Sequence, residues 1–173
     1  MDVIEILSDQ HRQVESLFEQ FEATPDPALR SGLAHELIVL LSRHSAVEEI
    51  DVYPVIAAEV GGGAAGSLTS EHQDLKRTLA DIEHLEPGSP ELATRMAEVM
   101  VAVRQHVGEE EGEVFPALRA TVAQDRLDEL GRAVLSRWDG APTHPHPNQP
   151  PANAVTGTVV GLVDKARDAL TGD

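Results

Sequence analysis

The sequence predicts an all-α protein: an up-down-up-down antiparallel four-helix bundle with a short fifth helix and a C-terminal tail helix. Three observations predict it. Four stretches place apolar residues at alternating spacings of three and four, the mark of helices turning one face to a shared core. No stretch shows the period-two alternation of a half-buried strand. The connections between the stretches are short, which makes neighbouring helices antiparallel.

The first stretch reads Ile4, Leu7, His11, Val14, Phe18, Phe21 and ends before Pro25 and Pro27. The second reads Leu33, Leu37, Leu40, Leu41, His44, Val47, Glu48, Val52, Val55, Ile56. Gly61-Gly62-Gly63 stops it, because three glycines together lose too much backbone entropy in a helix. The third reads Leu68, His72, Leu75, Leu79, Ile82, with Thr69 or Ser70 as a cap and Pro87-Gly88 as the break. The fourth reads Leu92, Met96, Val99, Val103, His106, Glu110, Val114, Ala117, and a shorter amphipathic segment runs from Asp125 to Trp138. Asp139 to Pro151 holds five prolines and no apolar periodicity, which predicts a linker. Beyond it, Val159, Leu162, Val163, Ala166 and Leu170 share one face of a tail helix. The expected organisation is a bundle over 1–138, a linker over 139–154 and an amphipathic tail over 155–173. That tail either docks on the bundle or mediates self-association; the oligomeric state stays open.

Composition narrows the function. The 173 residues carry 30 acidic and 13 basic side chains, a net charge of −17. Phosphate binding needs basic patches and base stacking needs aromatics, which make up 3% here, so no nucleic-acid partner is expected. The longest aliphatic run, Leu37 to Leu41, is too short to span a bilayer, so no membrane partner is expected. The N-terminal MDVIEILSDQ is acidic where a signal peptide is basic, which predicts a cytoplasmic protein. With no cysteine, disulfides, thiolate metal sites and cysteine nucleophiles are excluded together. Eight histidines stand out against this background.

Four of them occupy core positions. His11, His44, His72 and His106 each stand where the apolar pattern asks for a leucine, and Glu48 and Glu110 follow His44 and His106 by one turn. Residues four apart on a helix lie one above the other. Burying such groups is costly unless they are hydrogen-bonded or hold a cation. No basic residue at that level of the stripes balances the two carboxylates, so a metal site is the simplest resolution. An internal repeat supports it. His44–Pro54 aligns with His106–Pro116 at an offset of 62, and His11 falls on His72 at an offset of 61. Two similar hairpins facing each other suit two metal ions related by pseudo-symmetry, with Glu48 and Glu110 bridging them.

At these residues the chain resembles the hemerythrin-like, or HHE cation-binding, family over residues 1 to 120. His11, His44 with Glu48, His72, and His106 with Glu110 carry the resemblance, together with the segments Glu49 to Pro54 and Glu111 to Pro116. The resemblance implies two iron ions as an oxo- or hydroxo-bridged non-haem pair that reacts with dioxygen or hydrogen peroxide. An imidazole-rich set with few carboxylates and no thiolate also suits iron better than magnesium or calcium. The oxygen carriers of the family have His-x-x-x-His on the third helix, and here the second position is Lys76. One iron is then short of a ligand, which favours catalase-like peroxide disproportionation. The alternative is a dioxygen- or iron-binding sensor or carrier without turnover.

Two residues stand as candidates for that gap. Tyr53 follows Glu48 by five, about 140° away on a straight helix. Pro54 removes a backbone hydrogen bond and can widen the turn, bringing the phenol in as an extra ligand or as a group touching a ligand. Glu15 forms a third His-x-x-x-Glu with His11, and as the repeat counterpart of Lys76 it either pairs with that lysine, ligates metal or stays solvated. Glu109, Glu111 and Glu113 are expected on a charged outer face, Glu111 being the alternative ligand to Glu110 if that helix is locally overwound. His35, His84, His144 and His146 are expected to be solvated.

Overall fold

A computed structural model defines the fold for residues 1–149 and 156–171. These residues form helices α1 (Val3–Ala23), α2 (Pro27–Val47), α3 (Tyr53–Glu59), α4 (Gly62–Glu83), α5 (Pro90–Glu109), α6 (Phe115–Thr121), α7 (Gln124–Trp138) and α8 (Thr156–Thr171). Two π-helical turns, Glu48–Val52 and Glu110–Val114, join α2 to α3 and α5 to α6. Among the described residues there is no strand, and no helix is long and apolar enough to cross a membrane.

Local chemistry starts and stops the helices as expected. Asp2 caps α1 reciprocally with Glu5, and Asp26 and Ser89 cap α2 and α5, each just before a proline at the first helical position. One boundary differs. The third bundle helix begins at Gly62 rather than near Leu68, and only Gly61, at φ 152°, breaks the chain. Burial of Ala65 and Leu68 in the core offsets the poor helix propensity of Gly62, Gly63 and Gly66.

The prolines explain the π turns. Pro54 and Pro116 lack the N–H that an α-helix needs, and their rings crowd the carbonyl four residues back. The helix relieves this by widening: the N–H of Tyr53 donates to the Glu48 carbonyl, and that of Phe115 to the Glu110 carbonyl, five residues back in each case.

Two apolar clusters sandwich a polar layer. Ile4, Leu7, Val52, Ile56, Leu68 and Leu118 belong to one, and Phe18, Leu37, Leu41, Leu79, Met96 and Val103 to the other. The six predicted ligands lie in sequence between them. Helix α7 closes the first cluster, with Gly131 so near the start of the chain that a Cβ would sit 2.8 Å from the Met1 carbonyl.

The tail helix meets the rest of the chain through its polar side. Val159, Leu162, Val163 and Leu170 are all more than half exposed, while Gly161 and Asp164 face inward. A Cβ on Gly161 would fall 2.0 Å from the Gly140 carbonyl, so only glycine allows that approach. The cause is polar. Asp164 accepts from the Thr143 and His144 N–H groups at 2.9 and 3.2 Å and contacts His146 Nε2 at 3.0 Å. The His144 imidazole bridges Glu83 of α4 and Asp168 of α8. His144 is therefore buried and His146 paired, not solvated, because buried linker N–H groups must find acceptors. Residues 150–154 of the expected linker and 155 and 172–173 of the expected tail lie outside the described residues.

This clamp predicts a pH effect. Burial pulls the His144 pKa down, but the Glu83 and Asp168 carboxylates outweigh it and raise the pKa above the ordinary 6.5. A raised folded-state value means that the clamp's contribution is complete below the unfolded pKa and lost as pH rises through the folded one. Hydrogen exchange of α8, corrected for intrinsic rate, is expected to accelerate between pH 6 and pH 9. In His144→Ala it should be fast and flat across that range. An α8 equally protected at both pH values in the unsubstituted protein would contradict the clamp.

Candidate metal centre

All six predicted ligands meet in the polar layer. His11, His44, Glu48 and Glu110 each offer an atom within 4.8 Å of the others, and so do Glu48, His72 and His106. Glu48 belongs to both groups. Its Oε2 lies 3.2 Å from His44 Nε2 and 3.4 Å from His72 Nε2, while Glu110 spans His11 and His106 at 3.4 Å each. Both carboxylates are fully buried.

Each imidazole is held from behind. Nδ1 of His44 faces Gln10 Oε1 at 2.8 Å, and Nδ1 of His106 faces Glu71 Oε2 at 2.7 Å. Nδ1 of His11 faces Glu111 Oε1 at 2.8 Å, and Nδ1 of His72 faces Glu49 Oε1 at 3.2 Å. An oxygen acceptor at Nδ1 keeps a proton there and leaves the Nε2 lone pair of a neutral ring aimed at the centre. The four acceptors obey the repeat, since Gln10 and Glu71 are 61 apart and Glu49 and Glu111 are 62 apart. Sequence reasoning missed Gln10, Glu71 and Glu49 and placed Glu111 on a solvated face. The signal was present: each directly precedes an inward histidine or directly follows an inward glutamate, in both halves.

Tyr53 enters the site. Its Oη lies 3.0 Å from His72 Nε2 and 3.5 Å from His106 Nε2, and donates to Glu110 Oε1 at 3.1 Å. The π turn at Pro54 supplies the rotation that a straight helix denies. Its repeat counterpart Phe115 stacks on His11 at a 5.9 Å centroid distance, so one half of the site has a hydroxyl and the other an apolar lid. The helix before Phe115 is widened rather than overwound, and Glu111 turns to His11 Nδ1 while Glu110 keeps the buried position.

The lysine pairs differently from either expectation. Lys76 Nζ donates to both Glu49 oxygens at 2.6 and 2.8 Å. Glu15 does not reach it. That carboxylate is half exposed and pairs with Arg104 of α5 at 2.7 Å, which also removes it from the ligand candidates. His35 and His84 are exposed as expected.

The donor set fits a cation on two observations. Both oxygens of Glu48 and Oε2 of Glu110 are buried without a hydrogen-bond partner, which is costly unless a positive charge lies among them. Facing Nε2 atoms stand 3.2 Å apart in His11–His44 and 3.1 Å apart in His72–His106, a distance at which two lone pairs repel. Protons answer part of this charge. Burial alone lowers a histidine, but the Glu110 and Glu71 carboxylates lift His106 to about 9. Burial and the adjacent Glu110 raise Glu48 well above the carboxylate range. Burial also depresses His44 and, less strongly, His72, which favours the neutral rings that metals require. Tyr53 is pushed up by burial and by Glu48 and Glu110, so its hydroxyl stays protonated.

A cleft of about 200 Å³ between α4 and α5 leads to this side of the layer, lined by Glu71, His72, Leu75, Val99, Val103 and His106. A molecule of a few atoms reaches His72 and His106 there.

Residues 2–118 match the family described as the hemerythrin HHE cation binding domain. An uncharacterized hemerythrin-like protein of Schizosaccharomyces pombe is 26% identical over 166 residues, covering 92% of this chain and 82% of that protein. A DNA nickase of Nostoc sp. is 26% identical over 129 residues, which span 75% of this chain but 37% of that protein. Among solved structures, a hemerythrin HHE cation binding domain-containing protein from Mycobacterium kansasii superposes with a TM-score of 0.70 at 21% identity, covering 80% of this chain and 85% of that one.

Proposed function

The chain belongs to the hemerythrin HHE cation-binding family, and from that premise we propose that its polar layer holds two iron ions and disproportionates hydrogen peroxide. His11, His44, Glu48 and Glu110 would hold one ion, and Glu48, His72 and His106 the other, with Glu48 common to both. Imidazole with carboxylate and no thiolate is an iron-compatible set. Bound there, the pair supplies two-electron redox chemistry, by which one peroxide is reduced to water while a second is oxidised to dioxygen.

The observation that carries the reading is the difference between the two halves. The three-donor group lies beside the Tyr53 hydroxyl, whereas the apolar Phe115 ring stacks on His11 on the other side; clefts of similar size, about 200 and 190 Å³, adjoin the histidines of both sides. Protein atoms arrange the rest. Glu71 and Glu49 hold His106 and His72 with Nε2 forward. Tyr53 Oη keeps a proton beside Glu110 Oε1 and 3.0 Å from His72 Nε2, where it can donate to a small polar ligand held at the His72–His106 position. Leu75, Val99 and Val103 restrict the approach and exclude bulk water.

The test is oxygen evolution from hydrogen peroxide by protein loaded with iron, beside a metal count. Two irons per chain and evolution well above that of the same free iron support the reading. Evolution no faster than free iron overturns the catalase-like part, and a reversible oxygenated spectrum in its place would assign dioxygen carriage or sensing.

A further inference from the structure

Lys76 sits one turn after His72 on α4, 9% exposed. Its ammonium grips both oxygens of Glu49, whose side chain is 1% exposed, and the same Glu49 Oε1 faces His72 Nδ1. The other half lacks this arrangement. There the equivalent acceptor, Glu111, is 42% exposed at its side chain, and the residue equivalent to Lys76 is Glu15, turned away to Arg104. We propose that Lys76 is a positioning residue: by clamping Glu49 against His72 it fixes His72 Nε2 toward the centre and supports cation binding at the His72–His106 position. This rests on the two-cation reading of the layer.

A carboxylate buried behind an imidazole has two jobs. It must hold the ring's orientation, and it must stay ionised to keep the Nδ1 proton from moving to Nε2. Glu111 meets solvent and is stabilised as an anion by water. Glu49 has almost no water, so a protein cation has to supply what solvent supplies elsewhere. Lys76 is that cation, and a bidentate grip also removes the carboxylate's rotational freedom. The His72–His106 position, with three donors against four, is the weaker of the two.

Zinc titration by calorimetry reads this without redox chemistry. The full chain is expected to take two zinc ions in steps of different affinity. In Lys76→Met the weaker step should fall by about 10- to 100-fold with the stronger one unchanged, the usual effect of losing a partner behind a ligand. Lys76→Arg should restore most of the loss, and nitrogen NMR of His72 should show its proton on Nδ1 in the unsubstituted protein and mixed in Lys76→Met. Because Lys76→Met takes the ammonium away from the buried Glu49 and can unfold the chain for that reason alone, the double variant Lys76→Met with Glu49→Gln is the folded control. It has no uncompensated charge, keeps an oxygen toward His72 Nδ1, and should still show the weakened step. Wild-type affinity at both steps in the double variant, or an unchanged His72 proton position, overturns the proposal. A single zinc in the unsubstituted protein overturns the two-cation reading instead.

Discussion

Glu48→Gln is expected to stabilise the cation-free protein and to remove its response to cations. Both effects come from one fact: a fully buried carboxylate with neither oxygen hydrogen-bonded. Such a group costs about 1–3 kcal/mol. Glutamine keeps the shape, carries no charge, and its amide can donate to the unpaired Glu110 Oε2. For a chain of this size each kcal/mol is worth roughly 2–4 °C in Tm. The pH sign is fixed by the raised Glu48 pKa, which comes from burial and from Glu110. A carboxyl raised on folding costs nothing below the unfolded value of 4.5 and an increasing amount above it, until pH passes the folded value. The advantage of Glu48→Gln should thus be absent at pH 4 and present at pH 7. Cations reverse the order. Saturation at a thousand times Kd adds about 4 kcal/mol to the unsubstituted protein, lost on chelation. In Glu48→Gln, where both groups lose their common donor, the melting curves with cation and with chelator should nearly coincide. A cation-induced shift equal to that of the unsubstituted protein would refute the role of Glu48.

The part of this site legible in the sequence is the part with helical spacing. His11, His44, Glu48, His72, His106 and Glu110 repeat at three and four residues, the same rule that places the leucines around them, so one periodicity reveals both core and ligands. Tyr53 was legible only through Pro54, because the widened turn changes the angle between residues five apart. Gln10, Glu71, Glu49 and Glu111 lie off the apolar stripe, and side chains that reach across an interface to the back of a histidine obey no single-helix period. The pairing of Lys76 depended on where the Glu48–Val52 turn put Glu49, which helix spacing does not specify. The tail was legible only as far as its apolar face, which left docking and self-association open. The Gly161–Gly140 approach and the hydrogen bonds of Asp164, which no apolar period marks, seat the helix by its other side and leave Val159, Leu162, Val163 and Leu170 outward.

His72→Ala is expected to lose one of two bound cations and nearly all peroxide turnover, with His84→Ala unchanged in both. His72 is 1% exposed and is one of the two imidazoles of the smaller donor group, so removing it leaves that position His106, Glu48 and the Glu110 oxygen 3.4 Å from His106 Nε2. With one of its two imidazoles gone, the affinity of that position should drop by more than about 100-fold. The other position keeps all four donors and should stay filled. Turnover should fall further than occupancy alone implies, because the lost position is the one that Tyr53 Oη touches. The controls separate causes. His84 is exposed just past the end of the same helix, and a substitution there should change stability by less than about 0.5 kcal/mol. His11→Ala truncates an imidazole in the opposite half, under Phe115, and should likewise weaken that half's cation while leaving the His72–His106 position occupied. If His72→Ala and His11→Ala cost turnover equally, the reaction is a property of the pair. If His72→Ala costs more at equal cation loss, the reaction is seated at the His72–His106 end. If both retain two cations, His11 and His72 are not ligands, and the unpaired carboxylates at the centre need another explanation.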